Sequence, residues 1–292
     1  MLKFSNKQLQ SIEFKDGTRF RLFKVDGIDS APIDNRMQEF GFLDGAIDQG
    51  TRLEPREITI EFGIFARNKE ELLELKRLVT NVFNAKLGLG TLIHSRYGVA
   101  RKIEAKLDRG PTFPGGGDNE TETFQRGMLS LICPDPYFKN AEGESRTDIA
   151  TWIPNMYFPI GITDEGRALG YRTVSLFVNV ENKGHETAGI VIMFRATGTV
   201  VNPSLRDVNT QKYIKLNYTM QAGEVITITT HQNKKRVTSE RKGIKTNIFN
   251  SIVHGSSFLQ LAVGDNIYRY EADNNEDALN VSIYHSDRYV GV

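Results

Sequence analysis

The clearest alternation in the chain runs from Glu57 to Phe65. Ile58, Ile60, Phe62 and Ile64 fall on one face of an extended backbone, and Glu57, Thr59, Glu61 and Gly63 fall on the other. Successive strand side chains point to opposite faces, so this period predicts a half-buried strand. Upstream, Phe14 to Phe20 carries Asp16-Gly17 between apolar residues. That dipeptide tolerates positive φ and predicts a hairpin. The period then changes. Leu72, Leu75, Leu78, Val79, Val82 and Phe83 recur at helical spacing, Asn68 and Glu71 have the form of a capping box, and Gly88 follows. One α-helix is predicted over 68–84. The stretch 110–122, with Pro111, Pro114 and Gly115-Gly116-Gly117, predicts a loop. Phe124 to Cys133 returns to strand character and stops at Pro134-Asp135-Pro136.

Lys139 to Asp148 is polar and irregular, and Ile149 to Ile162 is broken by Pro154, Pro159 and Gly161. Beyond them the strong segments read as strands: 174–180, 190–194, 213–216, 225–230, 258–263, 267–270 and 279–284. Their turn-separated spacing is that of a β-sandwich. The fold class expected is mostly β with one α-helix. The domains expected are 1–139, a connector over 140–166, and an all-β domain over 167–292. A chain of 292 residues exceeds what one core usually spans, which supports two domains.

Composition narrows the chemistry. With 37 Lys and Arg against 36 Asp and Glu, the formal charge of +1 does not ask for a nucleic-acid partner. Cys133 is the only cysteine, which excludes an intrachain disulfide. Beside Leu131 and Ile132 it reads as a buried small hydrophobe. No signal-like or membrane-length apolar stretch occurs. The five histidines, His94, His185, His231, His254 and His285, have no metal-ligand spacing. No nucleophile elbow or phosphate loop is present. Asp273-Asn274-Asn275-Glu276-Asp277 offers oxygen ligands but lacks EF-hand spacing, and such runs are ordinary turn formers. No catalytic residue, metal or cofactor is therefore expected. The alternative weighed is a carbohydrate-binding module on the second domain. Its only tryptophan, Trp152, falls in the connector, and tyrosines such as Tyr213, Tyr268 and Tyr270 alternate as strand residues do.

Several stretches together resemble the distal tail proteins of siphophages, whose tails are long and non-contractile. Phe42-Leu43-Asp44-Gly45-Ala46-Ile47-Asp48-Gln49-Gly50 through Arg56-Glu57-Ile58-Thr59-Ile60 is similar to that family's Gly-containing loop before a long strand. The capped helix follows, and Cys133-Pro134-Asp135-Pro136-Tyr137-Phe138 resembles the close of the first domain. Asn182 to Ala188, Asn202-Pro203-Ser204-Leu205, Tyr213 to Asn217, Ala222 to Ile228 and Val263 to Asn266 continue the resemblance across the second half. Two features depart from it: the insert at 110–122 is longer than the minimal form, and tryptophan does not support a sugar site.

The resemblance implies an N-terminal β-sandwich-like ring domain with a helix and a belt-like loop, and a C-terminal galectin-like sandwich. It implies a homohexamer at the distal end of the phage tail, made in the host cytoplasm. The partners implied are the tail tube protein, the tip protein and receptor-binding proteins, with no specific nucleic acid and no membrane. The residues expected at the ring interface are Phe40, Phe42, Leu43, Ile47 and Leu53. They are apolar, yet Gly41, Gly45, Gly50 and Pro55 keep segment 38–56 from forming one regular element. Large apolar groups in such a loop are costly to leave in water, so the segment is expected to cover a neighbouring chain, the alternative being that it folds back over its own domain.

Overall fold

A computed structural model describes residues 1–42, 44–149, 151–154, 170–173 and 177–292. The chain divides into a first unit, Met1–Glu142 with Tyr289–Val292, and a second, Gly143–Arg288. The first contains β1 (Leu2–Ser5), β2 (Ser11–Phe14), β3 (Phe20–Asp26), β4 (Ile33–Glu39), β5 (Ala46–Leu53), β6 (Arg56–Phe65), α1 (Lys69–Val82), β7 (Gly90–Arg96), β8 (Val99–Thr112), β9 (Phe124–Cys133) and β10 (Lys139–Asn140). The second contains β11 (Ser145–Asp148), β12 (Thr151–Pro154), β13 (Gly170–Thr173), β14 (Phe177–Asn182), β15 (Ala188–Ala196), β16 (Val200–Val201), β17 (Ser204–Asp207) and β18 (Tyr213–Lys215). It continues with β19 (Thr219–Met220), β20 (Val225–Thr229), β21 (Arg236–Arg241), β22 (Ile244–Asn247), β23 (Gln260–Leu261), β24 (Gly264–Glu271) and β25 (Leu279–His285).

Two boundaries differ from the sequence expectation. β10 pairs with β8, and β11 pairs with β25, so much of 139–148 is ordered strand and the connection between units is a short turn. Polar side chains hid these strands because both lie at the margin of a sheet, where one face meets water. The last four residues, expected in the second domain, belong to the first unit. Of the connector placed at 140–166, residues 150 and 155–166 lie outside the described residues.

In the first unit the strand order is β2-β1-β7-β8-β9-β6-β3, with β10 on β8. The first half of β8 pairs with β7 and the second half with β9, with register shifts between Leu107 and Arg109. Such irregularities bend a strand and let one sheet wrap a core. The Asp16-Gly17 turn is present, with Gly17 at φ +83°. It joins β2 and β3, the two ends of the strand path, rather than a paired hairpin. The path therefore curls back on itself around Phe14, Ile58, Ile60, Phe62, Ile64, Leu129 and Leu131.

The helix lies over this core through Leu72, Val79 and Val82, while Leu78 is exposed. Asn68 Oδ1 accepts from Glu71 N (2.9 Å), and Glu71 Oε2 accepts from Arg67 N (2.6 Å). Glu71 thus reaches one residue further back than the standard box, still satisfying a donor near the helix start.

Arg56 is the one fully buried arginine among the described residues. Its guanidinium donates to Gly27 O (2.8 Å), Ile28 O (2.7 Å), Pro136 O (3.0 Å) and Val290 O, and it lies 4.9 Å over the Phe138 ring. Gly27 has φ +85°, and a Cβ there would sit 2.0 Å from Glu57 O, so only glycine allows the loop this close to β6. Tyr289 and Phe138 exchange two backbone hydrogen bonds of 2.9 Å, fixing the returning C-terminal segment.

The second unit is a β-sandwich. One sheet runs β11-β25-β15-β20-β21-β22 with β23 on β15, and the other runs β14-β24-β17-β18. Ile190, Ile192, Phe194, Ile226, Ile228 and Ile283 from the first sheet share one core with Val180, Leu205, Ile214, Tyr268 and Tyr270 from the second. Facing apolar sets of this kind hold two sheets together. One buried carboxylate pins the turn before β20. Glu224 accepts from Tyr218 OH (2.6 Å), Gln221 N (2.9 Å) and the Ser239 hydroxyl. Burial works against its charge, but these donors outweigh it and hold its pKa below the usual carboxylate value.

Replacing Arg56 with Ala should cost the fold about 3 kcal/mol or more, because four buried or partly buried carbonyls lose a charged donor. Urea unfolding monitored on the first unit checks this. A loss under about 1 kcal/mol would show that the carbonyls find other partners.

Candidate functional site

Segment 38–56 is more regular than its glycines suggest. β4 and β5 form a two-stranded ribbon that pairs with no other strand among the described residues. Ile33 opposes Leu53 at its root, and Glu39 opposes Ala46 near its tip. Gly45 (φ +96°) serves the tip and Gly50 (φ +108°) adjoins the register shift, so the glycines bend the ribbon instead of breaking it. Pro55 falls between β5 and β6, where no ladder bond is lost. Polar pairs hold the strands: Arg52 Nε to Asp34 Oδ2 (2.7 Å) and Thr51 Oγ1 to Asn35 Oδ1 (2.8 Å).

Of the expected interface residues, Phe40, Phe42 and Ile47 are exposed, Phe42 completely so at 103%. Leu53 is half-buried, and Leu43 lies outside the described residues. Ile33 and Met37, which the sequence reading did not single out, are exposed on the same ribbon. An isolated two-stranded ribbon is marginal in water, and this one presents five large apolar side chains to solvent. Between Gln38 and Gln49 the only charges are Glu39, Asp44 and Asp48, so the tip is apolar and acidic at once.

A second surface lies at the other end of the same strands. The ribbon leaves from the Asp26 end of β3 and returns at Arg56, whereas Phe65 and Phe124 are partners at the far end of β6. There Phe23, Phe65 and Phe124 cluster on the outward face, with ring centroids 5.0–6.5 Å apart. Arg21 covers Phe65 at 5.0 Å and Arg126 lies 6.0 Å from Phe23. Gly63 makes room for them, since a Cβ would meet the Phe23 ring at 2.5 Å and the Phe124 ring at 2.9 Å. Beside the cluster is an open cleft of about 550 Å³ lined by Glu61, Phe113, Pro114, Arg126 and Met128 among others. Arg126 is paired with Glu61 at 2.8 Å. The sequence carried a signal for this platform: Phe65 falls on the polar side of the 57–65 alternation, an aromatic where solvent was expected.

The chemistry-bearing residue types are dispersed. Among the described residues no group of three or more His, Cys, Asp or Glu could hold a metal ion. Asp273 is occupied by Lys215 (2.6 Å) and Asn202 (2.8 Å), which hold its pKa below the ordinary value. Cys133 is completely buried, and burial pushes its thiol up to about 12, so no thiolate is available near neutrality. Tyr268 and Tyr270 are completely buried and cannot stack on a sugar. No described helix is long and apolar enough to cross a membrane.

Residues 7–133 match the family model of the phage tail protein RIFT-related domain, and 183–289 match that of the siphovirus-type tail component, C-terminal domain. Among solved structures, the chain is similar to the Dit protein of phage SPP1, described as a paradigm of the hub adsorption apparatus in phages infecting Gram-positive hosts. The TM-score is 0.67 at 14% identity, with 99% of each chain covered. It is also similar to a chain of the phage P2 baseplate in its activated conformation with Ca, at TM-score 0.57 and 10% identity, covering 100% of this chain and 98% of that one. The corresponding baseplate with Sr gives the same score and identity, with 100% of both chains covered. These likenesses are of fold. No curated protein sequence matches.

His94, on β7, is buried, and desolvation holds its pKa below the usual histidine value, with the N-terminal amine and Arg96 adding to the effect. Unfolded chains therefore take up its proton at higher pH than the folded protein does. The stability that neutral His94 contributes is present above the ordinary histidine pKa of about 6.5 and is lost as pH falls below it. Stability measured by urea unfolding should drop from pH 7 to pH 5, and His94→Gln should reduce that slope. An unchanged slope would place the titration elsewhere.

Proposed function

Because this chain belongs to the siphophage distal tail protein family, we propose that it closes a head-to-tail homohexameric ring through its first unit. The ring joins the tail tube protein to the tip protein at the distal end of the virion, and it gives receptor-binding proteins a place to attach. The chain is made in the host cytoplasm and acts as a non-enzymatic hub without cofactor.

One observation carries the reading: β6 has a complementary surface at each end. An apolar, acidic ribbon leaves at Arg56, and an aromatic platform with Arg21 and Arg126 sits at Phe65. Ten strand residues separate them by roughly 30 Å. A ribbon rooted at one end and an acceptor at the other suit contact between successive copies, a heterologous interface that closes into a ring when the rotation allows. Phe42 and Ile47 of one copy would cover Phe23, Met128 and the cleft of the next, with Asp44 and Asp48 near the guanidinium groups. The number six rests on the family resemblance.

Phe42→Asp with Ile47→Asp should give a folded monomer, because the carboxylates would be buried without partners. Arg126→Glu with Met128→Asp should do the same from the acceptor side. Sedimentation of wild type should give six chain masses. If the ribbon variant still sediments as the hexamer, the ring is sealed elsewhere. If only the platform variant does, the ribbon stands and its acceptor is another surface.

A further inference from the structure

The second unit ends one sheet in a ribbon whose charge contrasts with the neutral total. Residues 231–250 hold Lys234, Lys235, Arg236, Arg241, Lys242 and Lys245 against a single acid, Glu240, in a chain of formal charge +1. All six cations are exposed, and among the described residues none forms an ion pair. Lys242 (φ +51°) and Gly243 (φ +77°) make the two-residue turn between Arg241 and Ile244, a geometry that matches strand twist and holds the tip rigid. β22 is the last strand of its sheet, and all four of its residues are exposed. Ile244 is 72% exposed, and Phe249, just past the strand, is 42% exposed.

Lysines often guard a sheet edge against unwanted pairing. Guarding alone does not account for this concentration. The opposite edge of the same sheet, β11, carries Arg146 and Asp148 paired to each other at 2.9 Å and has no excess charge. The cations here fall into two groups, Lys234-Lys235-Arg236 and Arg241-Lys242-Lys245, at the two ends of β22. Thr246 and Asn247 lie uncharged between them, over a strand of roughly 13 Å. A continuous polyanion would meet Glu240, whose strand position opposes Lys245, in the middle of this track. An extended peptide uses all three features: the free backbone edge, the exposed Ile244, and the flanking charges.

We infer that β22 is a docking edge for an extended, acidic segment of another protein. The segment adds as a further strand, with an uncharged centre of about four residues and carboxylates at both ends. Main-chain hydrogen bonds to β22 supply attachment, and the two cationic groups set orientation and speed encounter.

The test uses the full chain and a fluorescein-labelled peptide with two glutamates on each side of a Val-Thr-Val-Thr centre. At low salt the peptide should bind and should slow amide exchange at Ile244–Asn247. Lys242→Glu with Lys245→Glu should weaken it by about tenfold or more, and Arg236→Glu alone by a smaller factor. A lysine-flanked version of the peptide should not bind. Absence of binding, binding that leaves β22 exchange unchanged, or equal binding by the charge-reversed variants would overturn the inference. So would tighter binding of a 20-nucleotide thymidine oligomer, which would make the ribbon a polyanion surface.

Discussion

The Arg56 guanidinium has no exposed surface, and its neighbours supply backbone carbonyls rather than a carboxylate contact. Burial lowers its pKa, and a cation so placed persists only because its donors are satisfied on several sides. The segments it gathers are the two roots of the exposed ribbon and the chain's end. Gly27 and Ile28 lead into β4, Arg56 itself follows β5, and Val290 belongs to the last four residues. Glu54 N donating to Pro32 O (2.9 Å) closes the ribbon's base beside it. The direction in which the ribbon leaves the domain therefore depends on one side chain. The C-terminal segment is held by the same side chain and by the Phe138–Tyr289 backbone pair, and its return makes the second unit an insertion between two parts of the first.

That arrangement separates stability from assembly. The first unit buries its apolar strand faces and its helix around one core, and that core needs nothing from the ribbon. The ribbon can then carry groups that an isolated chain would otherwise avoid exposing. Phe42 and Ile47 bury little against their own chain, which suits the interface proposed for them. The acidic tip distinguishes one end of the domain from the other. Such polarity favours head-to-tail contact over like-to-like contact.

The second unit is built on different terms. Its sandwich core is largely apolar, and the buried Glu224 carboxylate is held by three donors. Tyr268, whose pKa burial raises, donates to Gln260 O at 3.1 Å. The hydrocarbon between its sheets favours edges and loops as the surfaces this unit offers. The charge pattern agrees: the six cations between Lys234 and Lys245 are all exposed, while its two sheets meet across hydrocarbon.

How much of this was legible in the chain depends on the range of the interaction. The helix, its Asn68 cap, the β6 alternation and the strands at 124–133, 188–196, 225–229 and 279–285 follow from periods and caps that act within a few residues. The apolar residues of segment 38–56 were likewise visible, as was the buried character of Cys133. The ribbon's regularity was not, because Gly45 and Gly50 read locally as breakers while cross-strand pairs such as Asp34 with Arg52 hold it together. β17, β21 and β22 were missed because Ser204–Asp207 has a single apolar residue, Leu205, and the other two carry the charges of an edge. Nothing in the residues around Arg56 marks it for burial. Its burial depends on carbonyls from residues 28 to 234 positions away, and no local pattern encodes such a meeting. The platform of Phe23, Phe65 and Phe124 was hidden for the same reason: three separate strands must pair in register before their outward rings touch. Sequence alone therefore determined which residues prefer burial and which short segments repeat with a strand or helix period. Tertiary structure decided which of them find partners, because that depends on chain closure over distances that periodicity does not sense.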